Sequence, residues 1–258
     1  MPKLQLSFHG TFLLKKEDLR KIFHVAAEPD GLNATQEKLQ EKTSLGNKKV
    51  SPMKSWAIRT GLVRRNFLSS EGKIIWKQDP YLEFPITDWF MHFYLSFGTQ
   101  GYKNIANQSN TTLQPPPSEP SEWGGWSYFI FQFLPQQPTF TLDTLIDRSA
   151  IVFPQEASKS LHKNFRIVLR TYTEPEALAN GKILVFKGDQ YVASQFPLTN
   201  PYMVAYFLAK LWERDFADST SVIADKIFQQ PLGLPPILGI ESDTLLTYLN
   251  HLESLNII

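Results

Sequence analysis

Basic side chains are concentrated in one short stretch of the chain, "TSLGNKKVSPMKSWAIRTGLVRRN", residues 43–66. Lysine and arginine neutralise backbone phosphates, and exposed polar side chains on a helix can read base edges in the major groove. The chemistry that this pattern favours is therefore nucleic-acid recognition. The residues predicted to contact DNA are Lys48, Lys49, Lys54, Ser55, Arg59, Arg64, Arg65 and Lys73.

The same basic face has a second interpretation, because helical modules of this kind are often reused for protein contacts only. A second basic face lies further along the chain, and here solvated surface or protein contact is favoured over DNA. Two tryptophans beside a Gly-Gly pair could stack on a base, grip a partner or fold back on the core. The residues assigned to partner binding are Lys159, Lys163, Arg166, Arg170, Trp123 and Trp126.

Asp88 and His92 have the i, i+4 spacing of a general acid/base pair or of half a metal site. Their helix is crowded with aromatic side chains, however, among them Trp89 and Phe93. The favoured interpretation is a core histidine held by the neighbouring carboxylate.

The segment "DPYLE" (79–83) resembles part of a metal-dependent nuclease carboxylate set, but no lysine follows at short spacing. It is predicted to be a turn, with Glu83 near the N-terminus of the next helix. No phosphate-binding, dinucleotide-binding or serine-nucleophile motif occurs. The absence of cysteine excludes thiolate metal sites and cysteine nucleophiles. We therefore predict no catalytic residues, metal or cofactor.

The elements that position the basic residues can be read from the same stretch. Ser51 followed by Pro52 predicts an N-cap and a first helical position, with Gly61 as a left-handed cap after a helix ending near Thr60. The next residues, "LVRRNFLSSEGKIIWK", predict two strands around a turn at "SSEG". Helices followed by a hairpin are typical of a winged helix-turn-helix, whose second helix enters the major groove.

Composition divides the chain into four segments. The fold class predicted is mainly α with small β-hairpins, arranged as two or three winged helix-turn-helix-like modules. Within residues 126–258, we expect a helix that begins at Ser158 or Lys159 and a hairpin around "KGDQ". The segments are a basic winged-helix-like domain (1–80), a buried aromatic helix (81–106), a Pro/Ser-rich loop (107–125) and a helical domain with a hairpin (126–258).

Charge is unevenly distributed along the chain. Residues 1–80 hold 15 basic and 8 acidic side chains, whereas the remainder holds 11 basic and 17 acidic ones. This asymmetry favours nucleic acid as the partner of the first part and a protein as the partner of the second. No apolar run reaches the roughly 18 residues of a membrane span, and the N-terminus lacks an apolar signal segment. A cytoplasmic protein without membrane contact is expected.

Four segments, "FHGTF", "LGNKKVSPMKSWAIRTGLV", "DPYLEFPITDWFMHFYL" and "LHKNFRIVLRTYTEP", occur in the order found in a bacterial family known as domain of unknown function 4007. The chain resembles that family over nearly its whole length. The most specific piece is "DPYLE" followed by Pro85, Trp89 and His92. The resemblance implies winged-helix-like DNA-binding modules. It also implies a place beside sulfur-transfer enzymes and other components of bacterial DNA modification and anti-phage defence. It implies no catalytic residues.

The function predicted is that of a non-enzymatic DNA-binding or targeting subunit of such a modification or defence complex. Its partners would be double-stranded DNA and the protein components of the complex. The alternative is a protein–protein adaptor in the same kind of complex that never touches DNA. A third reading, a nuclease, rests only on "DPYLE".

Overall fold

The computed structural model describes residues 3–98, 124–194, 200–230 and 232–258. Within these ranges the fold is mainly helical, with two small antiparallel sheets. The helices are α1 (Lys16–Ala26), α2 (Gln36–Thr43), α3 (Asn47–Arg59), α4 (Ser70–Gln78), α5 (Pro85–Phe97), α6 (Gly125–Tyr128), α7 (Leu134–Gln136), α8 (Leu142–Val152), α9 (Ser158–Thr173), α10 (Pro201–Asp215), α11 (Ala224–Phe228), α12 (Leu234–Leu238) and α13 (Ser242–Ser254). The strands are β1 (Val63–Arg64), β2 (Phe67–Leu68), β3 (Thr139–Phe140), β4 (Leu184–Lys187) and β5 (Gln190–Ala193).

The first unit is built on three helices, α1 to α3, that pack against one another. Helix α3 buries one side against α1 and α2, and this is the side that the 3.6-residue periodicity predicts. The prediction of a shared inner face is confirmed, because all four of its residues are at most 1% exposed. These residues are Met53, Trp56, Ala57 and Thr60.

The start of α3 differs from the prediction. The helix begins at Asn47 after an extended Gly46, so Ser51 and Pro52 lie inside it and do not cap it. At this first residue of the helix, the carbonyl and side-chain oxygens of Asn47 accept hydrogen bonds from the Gln36 side chain. Pro52 is the sixth residue of the helix, beyond the first turn, so α3 lacks the backbone hydrogen bond that an N–H at this position would donate. The C-terminal prediction is confirmed, since Gly61 has a left-handed φ of 75°.

The hairpin after α3 is also shifted. The turn falls at Arg65 and Asn66, with Val63 opposite Leu68 and Arg64 opposite Phe67. The "SSEG" segment begins α4, because the Ser69 hydroxyl accepts a hydrogen bond from the Gly72 N–H at 2.7 Å. Serine before a glycine is compatible with either a turn or an N-cap, and the cap forms here.

The helix α5 is the buried aromatic helix that the composition predicts. From Thr87 to Phe97 every residue except Phe90 is buried. Its rings stack directly on the second half of the chain, with Phe93 and Phe207 parallel at 4.2 Å between centroids. The aromatic content of this helix therefore joins the two halves of the molecule into one core.

The second unit has the order helix, strand, helix, helix, hairpin. Strand β3 precedes α8 and α9 and pairs with β5, giving a three-stranded antiparallel sheet of order β3-β5-β4. The helix start at Ser158 and the hairpin at "KGDQ" are confirmed. Strand β3 was not predicted, because two residues are too few to show an alternating pattern.

Residues that were expected in an exposed loop pack against the chain start. The Gly125 N–H donates to the Leu4 carbonyl at 2.7 Å, and Trp126 is only 5% exposed. The assignment of Trp126 to partner binding is therefore wrong, and its indole belongs to the core. Trp123 and the rest of the predicted loop up to it lie outside the described residues.

Within the described ranges, every helix is too short or too polar to cross a lipid bilayer.

Candidate nucleic-acid interface

The exposed arc of α3, the side opposite its buried face, has fewer fully exposed polar side chains than the sequence suggests. Lys48 and Ser51 are exposed, whereas Lys54 and Ser55 are half-buried. All four lie on the side of α3 opposite its buried face, because they are spaced three or four residues apart. A ligand approaching this arc would meet two lysines and two hydroxyl groups.

Part of the predicted DNA-binding set is already engaged inside the protein. Lys49 forms an ion pair with Asp18 of α1 at 2.5 Å. The Arg59 guanidinium lies over the Phe8 ring, 4.2 Å from its centroid. The Lys54 ammonium donates to the Leu32 carbonyl at 3.3 Å, and burial lowers the pKa of Lys54. These side chains fix α3 in the fold and leave less charge for a ligand.

The other four basic residues of the set are exposed, and none of them forms an ion pair with a described residue. Lys48 lies in the first turn of α3, one arginine ends β1, the next lies in the hairpin turn and one lysine lies in the first half of α4. These residues are Lys48, Arg64, Arg65 and Lys73.

The loop between α1 and α2 brings the α3 arc and the hairpin turn together. The Leu32 carbonyl accepts the bond from Lys54, while its N–H donates to the Asn66 carbonyl at 2.7 Å. The Asn66 side chain also donates to the Asn33 side-chain oxygen at 2.7 Å. Because Arg65 precedes Asn66 directly, the hairpin arginines and the α3 arc form one basic surface.

The second basic face is a regular stripe on α9. Its four members follow one another at intervals of four, three and four residues, so they lie along one line of the helix. All four are exposed, and no acidic residue occurs within α9. Arg170 is paired with Glu174 at 2.5 Å. The members of this α9 stripe are Lys159, Lys163, Arg166 and Arg170.

The two basic faces adjoin across residues 7–11. Gly10 lies against Pro52 of α3. The positive charges of Lys163 and Arg59 act electrostatically on the buried His9 imidazole. Burial, reinforced by these two charges, lowers the pKa of His9 to about 4. Its Nδ1 accepts a hydrogen bond from the Thr11 N–H at 3.1 Å. His9 is therefore a neutral spacer between two cationic surfaces.

Acidification is expected to destabilise the fold through His9. A histidine with a folded-state pKa of about 4 and an unfolded value of 6.5 binds its proton mainly in the unfolded state between those limits. Stability is thus fully present above pH 6.5 and falls as the pH drops toward 4, by about 2 kcal/mol at pH 5 for one such group. Urea unfolding at pH 7.5 and pH 5 measures this loss.

The matched variant for that experiment is His9→Asn, whose side-chain oxygen can still accept from Thr11. Its loss of stability between the two pH values should be about 2 kcal/mol smaller than that of the wild type. His251→Asn, at an exposed position of α13, should lose as much as the wild type. Equal losses in His9→Asn and wild type would contradict the assignment.

Asp88 and His92 do not form the pair that their spacing suggests. The His92 Nε2–H donates to the Ile237 carbonyl at 2.9 Å, and its Nδ1 accepts from the Tyr172 hydroxyl at 2.8 Å. Tyr172 in turn accepts from the Trp126 indole N–H at 2.9 Å. Burial lowers the pKa of His92 to about 4. The prediction of a core histidine is confirmed, but its partners are Tyr172 and a carbonyl and not the neighbouring carboxylate.

Asp88 is paired with a lysine from α1. The Lys16 ammonium lies 2.5 Å from Asp88 Oδ1, and the Gly181 N–H donates to Oδ2 at 3.1 Å. The Asp88 side chain is fully buried and that of Lys16 is 10% exposed. Burial raises the pKa of Asp88 to about 6, and Lys16 opposes that shift. The pair joins α1, α5 and the segment before β4.

Asp79 of "DPYLE" has a local structural role. Its carboxylate accepts from the N–H groups of Glu83 and Phe84 and from the Thr87 hydroxyl. These bonds shape the turn before α5, as predicted. Among the residues that the structure describes, no three histidine or acidic side chains are grouped so that they could hold a metal ion.

Comparison with known proteins identifies a family and a fold. A family model described as "Protein of unknown function (DUF4007)" matches residues 6–257. A search of curated proteins found no match. Two solved structures are similar in fold. One is described as "SspB crystal structure", with 17% identity, a TM-score of 0.67 and coverage of 96% of this chain and 77% of that chain. The other is described as "Magnesium ion-bound SspB crystal structure", with 16% identity, a TM-score of 0.66 and the same coverage.

Proposed function

Because the chain belongs to the DUF4007 family of proteins of unknown function, we propose a role that its surface chemistry supports. The protein binds double-stranded DNA and acts as a targeting subunit of a bacterial DNA modification or anti-phage defence complex. It carries no catalytic step of its own. It recognises DNA mainly through phosphates, with a weak or shape-based sequence preference.

The observation that carries this proposal is the junction of the two basic faces at residues 7–11. Residues 7–11 pack on α3, where Gly10 lies against Pro52 and Phe8 lies under the Arg59 guanidinium. The charge of Lys163 on α9 also acts on the buried His9 of this segment. A duplex presents phosphates along both strands, so two adjoining cationic faces can neutralise more of them than one face can.

The topology of the second unit supports a winged-helix reading of the α9 stripe. Helix, strand, helix, helix and hairpin, with the first strand beside the last one, is the arrangement in which the helix before the hairpin lies in the major groove. Here that helix is α9. The α1–α3 unit and its short hairpin form the second such module. We therefore place α9 beside α3 in DNA contact, although the sequence alone favoured protein contact for it.

The C-terminal helices are suited to a different partner. Residues 201–258 contain seven acidic and three basic side chains. This part would be repelled by phosphates and is free to bind a protein component of the complex. Binding by α3 and α9 would then hold that partner on DNA.

The test is fluorescence anisotropy of a labelled duplex at about 50 and 200 mM salt. With five phosphate contacts, affinity should fall roughly 500-fold between these concentrations, because counterions are released on binding. The test variant Lys48/Arg64/Arg65→Glu changes only exposed side chains and should lose binding. Lys49 and Arg59 are left unchanged because they also stabilise the fold. Binding that is absent at 50 mM salt, or that this variant leaves intact, would overturn the proposal.

The absence of a catalytic step is tested on supercoiled plasmid with added Mg²⁺. The plasmid should remain intact. Nicked circles that disappear in Glu83→Gln would instead favour the nuclease reading, because Glu83 is an exposed carboxylate of "DPYLE".

A pure adaptor is the second candidate, and one observation favours it. The partners of Lys49 and Arg59 show that part of the α3 basic face serves the fold. Apolar side chains are also exposed near α4 and α5, at Ile74, Phe84 and Ile86. An adaptor would co-purify with a protein component while failing to shift the anisotropy of the duplex at 50 mM salt.

A further inference from the structure

A groove that belongs to neither basic face runs between α1, the end of α2, α4 and the turn before α5. Its volume is about 560 Å³, within the range of small-ligand sites. No described residue that lines it is acidic. The residues that define its chemistry are Arg20, Lys21, His24, Lys42, Trp76 and Tyr81.

The aromatic side chains of the groove are positioned differently. The Trp76 ring packs edge to face against the rings of Phe23 and His24, with centroid distances of 5.3 and 5.4 Å. Tyr81 is 58% exposed, and the Arg20 guanidinium lies 5.1 Å from its ring centroid. A fixed indole and an accessible phenol beside an arginine offer π-faces on which a planar base can stack.

The charge of the groove suits a phosphodiester. The carboxylates that pair with its lysines lie outside its lining: Glu17 and Asp18 are 3.5 and 3.9 Å from Lys21, and Glu28 is 2.5 Å from Lys42. Arg20 and His24 form no ion pair with a described residue. The surface facing the open space is thus cationic and aromatic together, which distinguishes it from the α9 stripe, where the exposed line is cationic only.

We propose that this groove binds an unpaired stretch of DNA, with a base stacked on Tyr81 and the adjoining phosphates held by Arg20 and Lys21. Duplex DNA cannot offer this contact, because its bases are stacked inside the helix. The inference deepens the proposed function, on which it rests. The basic faces hold the duplex, and the groove takes a strand where the pairing is open.

The test uses a fluorescein-labelled oligothymidylate of about twelve nucleotides and, separately, a labelled duplex. Tyr81→Ala should weaken oligothymidylate binding about 5- to 150-fold, the range expected for the loss of one stacked base. Tyr202→Ala is the matched control, since Tyr202 is a 66% exposed tyrosine on α10, outside the groove. Arg20→Gln should also weaken binding, which provides a second variant if Tyr81→Ala is poorly folded.

The two DNA probes separate this inference from the proposed function. Duplex affinity should be unchanged in Tyr81→Ala. Oligothymidylate binding without duplex binding would remove the proposed function and leave the groove assignment standing. Equal oligothymidylate affinity of Tyr81→Ala, Arg20→Gln and Tyr202→Ala would overturn the groove assignment. Complete competition by thymidine monophosphate at matched nucleotide concentration would also overturn it, because the ligand would then be a free nucleotide.

Discussion

Replacing Lys159, Lys163 and Arg166 together by glutamate is expected to lower the affinity for duplex DNA by roughly 500-fold or more at 0.1 M salt. Each phosphate contact contributes about 0.9 to the slope of log affinity against log salt, so three lost contacts correspond to nearly three decades at that concentration. Reversal adds repulsion to the loss. The slope itself should become shallower by about 3. Anisotropy titrations over a series of salt concentrations measure both quantities.

The comparison needs a variant with the same change in net charge elsewhere. Lys38, Lys182 and Lys226 are exposed lysines outside both basic faces, and their replacement by glutamate should reduce affinity far less. Arg170 is left in place because it is paired with Glu174. If both triple variants lost affinity equally, the effect would be one of net charge, and the α9 stripe would not be a DNA contact.

Asp88→Ala is expected to destabilise the protein by about 3–5 kcal/mol. The substitution leaves the Lys16 ammonium uncompensated in a site where it is only 10% exposed. It also removes the acceptor for the Gly181 N–H, a further source of destabilisation. Urea unfolding at pH 7.5, followed by circular dichroism, gives the difference in free energy of unfolding.

A double variant shows whether the stranded charge is the cause. Lys16→Met with Asp88→Leu removes both charges and fills the space with apolar atoms, so it should recover a large part of the lost stability. Glu17→Ala breaks the solvent-exposed pair with Lys21 and should cost less than about 1 kcal/mol. A double variant no more stable than Asp88→Ala would mean that packing, and not the unpaired ammonium, dominates.

Periodicity predicted the helices well because it reports burial directly. The inner faces of α3 and α9 and the buried α5 follow from apolar residues at helical spacing, which tertiary packing then satisfies. The boundaries were less predictable. Ser69 could serve a turn or a cap, and Pro52 could begin a helix or lie within its first turns. In both places the local signal is degenerate, and contacts from distant residues decide the outcome.

The sequence identified the basic residues of the candidate site but not which of them are engaged inside the fold. The lysines and arginines of α3 were identified from composition, yet the engagement of Lys49 depends on Asp18, which is 31 positions away. The α9 stripe was also visible, but strand β3, which pairs with β5 in the sheet of that unit, is too short to read. The Tyr81 groove was missed because its walls come from three segments far apart in the chain.

The bond between the Gly125 N–H and the Leu4 carbonyl bears on how the chain is made. Ribosomes add about 5–20 residues per second, so Leu4 is synthesised roughly 6–24 s before its partner. The interval is longer for the Lys16 N–H, whose acceptor is the carbonyl of Glu176. During that interval the apolar residues near the chain start lack these later contacts, so the packing of the first helices is completed only after later synthesis. Slow or interrupted translation before residue 125 should therefore favour aggregation of the nascent protein.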